Sequence, residues 1–264
     1  MIGQTILEAN AVTLRYDGDQ GNVLDPFDFA LKPGETIGIL GPSGVGKSSL
    51  LRVLAGLQQP SSGAVHIRGQ ALWGPHPRVS IAFQDPSLLP WLTLERNVAF
   101  GLDFKHQPQL SRAERARRVD EAIAEVGLSS ARNQFPDQLS GGMAQRAALA
   151  RCLAREPDIL LLDEPFGALD EVTRSQMQRL LLKIVSDLGT AVVLITHDID
   201  EALLVSDRIV LLGGSPARQI GEWTVDLAKP RDDDVSELGR LRVDIVSALR
   251  RASPAHHKDE AHAV

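Results

Sequence analysis

Two short stretches of this 264-residue chain carry residue types whose spacing suits phosphate chemistry. The first is Gly41-Pro42-Ser43-Gly44-Val45-Gly46-Lys47-Ser48: glycine, four residues, then Gly-Lys-Ser. Glycines allow backbone N–H groups to converge on phosphate oxygens without Cβ clashes. A helix beginning there turns the positive end of its dipole toward an anion. Lys47 is then placed to reach the β- and γ-phosphates of ATP, and the Ser48 hydroxyl to ligate Mg²⁺, with Ser49 beside it in the same turn. The second stretch, Ile159-Leu160-Leu161-Leu162-Asp163-Glu164, is an apolar run ending in two acids. Alone it would be a strand meeting a loop. After a phosphate loop it reads as Asp163 holding Mg²⁺ and Glu164 acting as general base toward the attacking water. His197 ends another apolar run, Ala191 to Thr196, and is expected beside the same phosphates.

The elements that must position these groups follow from hydrophobic periodicity. Residues 5–16 and 23–31 read as alternating strands, and Thr36 to Leu40 as a short apolar strand ending at Gly41. Leu50, Leu51, Val53, Leu54 and Leu57 have helical spacing, closed by Gly56 and Pro60. A β segment is predicted over 63–84. From Pro86 to Ala154 the pattern is helical. Ser111 with Glu114 forms a capping box before a helix carrying Ala116, Val119, Ile123 and Val126 on one face, closed by Gly127. A second helix starts near Gly142 and stops before Pro157. Strands return at Ile159–Leu162, Ala191–Thr196 and Ile209–Leu212, with a helix marked by Met177, Leu180, Leu181, Ile184 and Leu188 and ended by Gly189. Strands alternating with helices predict an α/β fold with a parallel sheet covered on both faces. Residues 86–154 read as a helical insertion into it.

Composition narrows the classes. Hydrophobic residues make up 43% of the chain and aromatics 4%, so aliphatic side chains must build the core. The net charge is −6 with no Lys/Arg block, which gives no electrostatic case for nucleic acid. The single cysteine, Cys152, lies in an Ala/Leu-rich run and reads as a core residue. No signal peptide and no apolar stretch of about 18 residues is evident, so a transport role would require another chain to cross the bilayer. The final residues, Ala252 to Val264, including His256, His257 and His262, read as a solvated, disordered tail.

One further segment, Leu139-Ser140-Gly141-Gly142-Met143-Ala144-Gln145-Arg146, resembles the signature motif of ABC ATPases. The resemblance extends over about residues 5–225. It implies a P-loop NTPase with a RecA-like parallel core, an N-terminal antiparallel β subdomain and an inserted α-helical subdomain at about 86–154. A C-terminal helix and the tail would follow in 226–264. It implies ATP as ligand with Mg²⁺, and a head-to-tail homodimer in which each ATP lies between one subunit's P-loop and the other's Ser140, Gly141 and Gly142. On the same basis Tyr16 matches the aromatic that stacks on adenine, and Gln84 the glutamine that contacts Mg²⁺ and water. Asp170, in Ala168-Leu169-Asp170, matches the loop that crosses the dimer interface, and His197 the switch histidine. Position 143 is Met where the family usually has Gln, Gly167 stands where Ser is commoner, and Ser48 where Thr is commoner.

The segment Asp85-Pro86-Ser87-Leu88-Leu89-Pro90-Trp91-Leu92-Thr93 follows Gln84, where members of this family meet their membrane partner. The resemblance implies two permease subunits, an indirect periplasmic solute-binding protein and a peripheral place on the cytoplasmic face of the inner membrane. Leu-Leu-Pro-Trp, Asp-Glu-Pro-Phe-Gly-Ala-Leu-Asp-Glu-Val-Thr-Arg and Ala228-Lys229-Pro230-Arg231-Asp232 look like the nitrate/sulfonate/taurine importer subgroup. Aliphatic sulfonates are the leading cargo, with taurine, nitrate and thiamine precursors close behind. A soluble ABC ATPase of DNA repair, chromosome folding or ribosome work is the rival class. The short interval from Lys47 to Ser140, the single P-loop and the single cysteine all count against it.

Overall fold

The computed structural model describes residues 5–16, 21–105, 107–231 and 234–252. The chain opens with two antiparallel strands, β1 (Leu7–Leu14) and β2 (Leu24–Leu31). Next come β3 (Thr36–Leu40) and helix α1 (Lys47–Leu54), then β4 (Ser62–Ile67), β5 (Gln70–Ala71) and β6 (Val79–Ala82). A helical stretch holds α2 (Leu94–Ala99), α3 (Arg112–Glu125) and α4 (Gly141–Leu153). The rest alternates: β7 (Ile159–Asp163), α5 (Glu171–Leu188), β8 (Ala191–Thr196), α6 (Ile199–Val205), β9 (Arg208–Gly213), β10 (Arg218–Thr224) and α7 (Val235–Ala252).

Two sheets result. One is antiparallel, in the order β2-β1-β4-β5; the other runs β10-β9-β3-β8-β7-β6. In the second, β9, β3, β8, β7 and β6 are parallel and β10 pairs antiparallel with β9 at the edge. Its central strands are apolar along almost their whole length, apart from Thr36, Asp163 and Thr196 at strand ends, because both faces are covered. Ile37, Ile39, Ile159, Leu161, Val193 and Ile195 face the layer formed with α1 and the antiparallel sheet. Leu160, Leu162, Val192 and Leu194 face the opposite layer, with α2 to α5. This is the period-two alternation of a strand, with both sets of side chains in a core. In the helical layer, α2, α3 and α4 pack on one another and α4 packs on β6.

Several details differ from the sequence expectations. The segment 63–84 is three strands divided between the two sheets. Residues 86–93 form no helix. Leu57 lies beyond the end of α1 and is exposed. On α3, Val119, Ile123 and Val126 are buried but Ala116 faces solvent, and Ala122 takes its place in the core. Leu188, at the last position of α5, is also exposed. The Ser111 side chain accepts from the Glu114 amide, as a cap requires. The Glu114 carboxylate, however, binds Arg117 and Arg118, which hold its pKa down at about 2. Charge pairing one turn onward outcompetes the return half of the box. The edge strand β10 and the short helix α6 carry too few core-facing positions to show a period. The tail histidines, and Asp232 of the C-terminal segment, lie outside the described residues.

Candidate nucleotide site

The parallel sheet delivers its chemistry at the C-terminal ends of its strands. β3 is wholly buried and runs into the glycine-rich loop. Gly46 caps α1 at φ 102°, a conformation open to glycine, and no side chain caps the helix there. The first amides of α1 are therefore turned outward as donors. Lys47 is 5% exposed. Its Nζ donates to the carbonyls of Gly41 at 2.8 Å and Pro42 at 2.9 Å, which folds the loop around the ammonium. Burial lowers the Lys47 pKa, opposed by the charges of Glu164 and Asp163.

Next to it, the Ser48 hydroxyl donates to Asp163 Oδ1 at 3.1 Å. Burial raises the Asp163 pKa, and the Ser48 bond acts against that rise. Glu164 follows with φ 45°, a left-handed backbone that costs a non-glycine residue on the order of 1–3 kcal/mol. Its amide donates to the Ile195 carbonyl at 2.9 Å, tying the end of β7 to β8. The Glu164 carboxylate then sits between two of the expected partners. Gln84 Nε2 lies 3.5 Å from Oε2, and His197 Nδ1 lies 3.2 Å from the same oxygen. Tyr16, just past β1, shares a hydrogen bond with the hydroxyl of Ser49 on α1, and its ring is 42% exposed. Lys47, Ser48, Ser49, Asp163, Glu164, Gln84, His197 and Tyr16 are thus joined, directly or through one neighbour, at one end of the sheet.

Mg²⁺ takes oxygen ligands and keeps sites for substrate phosphates. The Ser48 hydroxyl, the Asp163 carboxylate and the Gln84 amide oxygen are a donor set of that kind, and the first two already touch. No cluster of three or more His, Cys, Asp or Glu is gathered among the described residues. The oxygen donors present fit a hard divalent cation that also takes phosphate oxygens.

Ser140, Gly141, Gly142 and Asp170 are built elsewhere. Ser140 caps α4 by accepting from the Met143 amide at 3.3 Å and is exposed. α4 packs against α2, α3 and β6, whereas α1 packs against β1, β7 and β8. A Cβ on Gly142 would come within 2.5 Å of Thr173 Cγ2, so this glycine also has a packing reason that its motif does not reveal. Asp170 caps α5, accepting from the Thr173 amide at 3.0 Å and its hydroxyl at 2.7 Å, and these bonds lower its pKa.

Trp91 is 69% exposed, so it does not pack inside the helical layer. The turn that presents it is held by two residues that sequence reading passed over. Asn97, fully buried on α2, accepts from the Leu89 amide at 2.7 Å and donates to the carbonyls of Leu89, Leu92 and Thr93. Arg151 on α4 donates to the carbonyls of Pro86 and Ser87. A polar residue between Leu94 and Val98, on the buried face of a short helix, was the available signal for Asn97. Arg151 also lines a cleft of about 240 Å³ with Leu57, Pro75, Phe100 and Phe104.

A glycine loop at a helix start, facing a carboxylate pair at the ends of parallel strands, defines an α/β ATPase of the P-loop type. Residues 24–167 match the ABC transporter family, and the chain belongs to it. It is 44% identical over 229 residues to an aliphatic sulfonates import ATP-binding protein of Xanthomonas axonopodis pv. citri, covering 86% of this chain and 90% of that one. It is 42% identical to the taurine import ATP-binding protein of Pseudomonas aeruginosa, over 95% of this chain and 98% of that one. The nitrate import ATP-binding protein of Synechococcus elongatus is 46% identical over 81% of this chain, which spans only 32% of that longer protein. Among solved structures, a dimeric ATP-binding cassette in a post-hydrolysis state with ADP and Pi aligns with TM-score 0.74 and 32% identity, over 84% of this chain and all of that one.

Proposed function

We propose that this chain is the ATP-hydrolysing subunit of an importer for small anions, and that it works as a head-to-tail dimer beneath two permease subunits. The observation that carries the catalytic part is Glu164 Oε2 held between Gln84 and His197 beside the Ser48–Asp163 pair. In this reading the P-loop amides and Lys47 bind the β- and γ-phosphates, and Tyr16 supports the adenine. Ser48, Asp163 and Gln84 would hold Mg²⁺, which when bound spreads the charge of the β- and γ-oxygens. Glu164 accepts a proton from water as the water oxygen bonds to the γ-phosphorus. The bond from that phosphorus to the bridging oxygen breaks, and its electron pair leaves with ADP. His197 contacts the γ-phosphate and reports its presence.

Ser140, Gly141 and Gly142 serve the nucleotide of the opposite copy. Their separate place in the fold, on an exposed helix start, agrees with that. The membrane partner is read from the exposed Trp91, and from a separate cleft lined by Phe100, Phe104 and Arg151, whose Arg151 also holds the Pro86–Ser87 turn; both suit a short permease helix. No helix among the described residues is long and apolar enough to cross a membrane. The proposed location, peripheral on the cytoplasmic face, rests on the likeness to import ATP-binding proteins.

Aliphatic sulfonates are the cargo we favour, supported by the relative aligned over 90% of its own length. The taurine relative, matched over 98% of its length, supports taurine as the second reading. A strain lacking this chain, grown on alkanesulfonate, taurine or sulfate as sole sulfur source and on nitrate as sole nitrogen source, tests both. Loss of growth on alkanesulfonate alone is expected. Loss on nitrate alone would reject the sulfonate reading, and unaltered growth on every source would reject the importer.

A further inference from the structure

Glu201 is 4% exposed, in the first turn of α6, and sequence reading gave it no task. Burial raises its pKa. A buried carboxylate is retained at a cost unless its partners are fixed. Its partners lie on two different loops of the site. Toward β8, Thr196 Oγ1 donates to Glu201 Oε2 at 2.6 Å, and the same hydroxyl accepts from the Asp198 amide at 3.0 Å. Thr196 and Asp198 are the two neighbours of His197, so this hydroxyl bridges the backbone on either side of the histidine. Toward α5, Arg174 Nε lies 3.5 Å from Glu201 Oε1. The same guanidinium donates to the Leu169 carbonyl at 3.1 Å, one residue before Asp170.

We propose that Glu201 and Arg174 are positioning residues that lock the His197 loop to the Asp170 loop, so that the two move as one unit when nucleotide and the second subunit arrive. Neither side chain touches the Glu164 carboxylate in the structure, and neither is assigned to contact ATP. The geometry is a chain of polar contacts, His197 backbone to Thr196 to Glu201 to Arg174 to Leu169, hydrogen-bonded at every step except the Glu201–Arg174 step, which is an ion pair at 3.5 Å. Each link is a side chain held in or beside a packed core, which permits few alternative arrangements. A loop crossing to a partner copy and a histidine facing the γ-phosphate would then share one mechanical setting. This inference rests on the reading of His197 and Asp170 given above.

The test uses the full chain, with steady-state ATP turnover, affinity for a fluorescent ATP analogue and melting temperature measured together. Glu201→Gln keeps the shape and an acceptor for Thr196 but removes the charge facing Arg174. Thr196→Val removes only the hydroxyl. Each is expected to lower kcat by about tenfold with KM and analogue affinity within about twofold, the pattern of an interaction needed in the transition state. The effect is expected to persist well below the melting temperature, as a loss of folded protein would not. In a His197→Ala background, measured by single turnover, Glu201→Gln is expected to cost nothing more, since residues acting through one another are non-additive. Full turnover in both Glu201→Gln and Thr196→Val would overturn the inference while leaving the catalytic reading intact. So would a Glu201→Gln penalty that multiplies with His197→Ala. Normal turnover in His197→Ala itself would reject the reading of the histidine, and this inference with it.

Discussion

Two helix starts in this molecule look alike in sequence and are built in opposite ways. Both Gly44-Val45-Gly46-Lys47-Ser48 and Ser140-Gly141-Gly142 place glycines and a serine at the N-terminus of a helix. The first is set at the end of buried β3. Its helix start is left uncapped, and Lys47 and Ser48 are engaged by the loop carbonyls and Asp163. The second stands on an exposed edge of the helical layer, and its serine caps its own helix. One is a cradle completed by its own sheet. The other has the donor chemistry of an anion site, but it packs against the start of α5 at Thr173 and not against Lys47, Ser48 or Asp163. In the reading proposed here, that difference is why a single sequence needs two copies to make a site.

Substitutions at the two ends can break this comparison. The largest effect is expected at Glu164, which closes the cradle. Glu164→Gln is expected to lower steady-state turnover by roughly 10²–10⁴-fold, the range of a general base. Phosphate release assays check this, and near-normal turnover would remove the assignment. Lys47→Ala is expected to weaken ATP binding by the isolated subunit about 10–100-fold, the worth of a charged hydrogen bond. Fluorescent-analogue titration measures it. Ser140→Ala should leave that titration unaltered and act on ATP-driven association instead, apart from about 1 kcal/mol of helix-cap stability. Equal loss of binding in Lys47→Ala and Ser140→Ala would erase the distinction between the two ends. The smallest effect on nucleotide chemistry lies outside both. Asn97→Ala strands the Leu89 amide and should cost about 1–3 kcal/mol in denaturant unfolding. It should leave ATP affinity of the isolated chain unchanged.

The sequence made the cradle legible because its chemistry is local. Glycine spacing, the lysine and the acid pair lie within single strand–loop units, and the buried strands that carry them are long apolar runs. Ser140 was legible only through resemblance, since nothing in its own neighbourhood says what faces it. The partners of the interlocking side chains were not legible, although Asn97 itself stood out as a polar residue on a buried face. Asn97, Arg151, Arg174 and Glu201 act through partners distant in sequence or on another element, and a buried glutamate four residues after a histidine looks like any amphipathic helix start. The same applies to Gly142. Its contact with Thr173 depends on how α4 meets α5, which no local pattern specifies. Ala116 and Leu188 erred in the other direction: correct period, but positions beyond the reach of the packed layer.

In the proposed dimer, two copies complete each other's sites only when nucleotide is bound. Glu164→Gln, which is expected to hold ATP without splitting it, makes that state long-lived enough to weigh. Light scattering on the purified Glu164→Gln chain is predicted to give a monomer without nucleotide, a dimer with ATP, and a monomer again with ADP. A monomer in the presence of saturating ATP would rule out the nucleotide-dependent dimer.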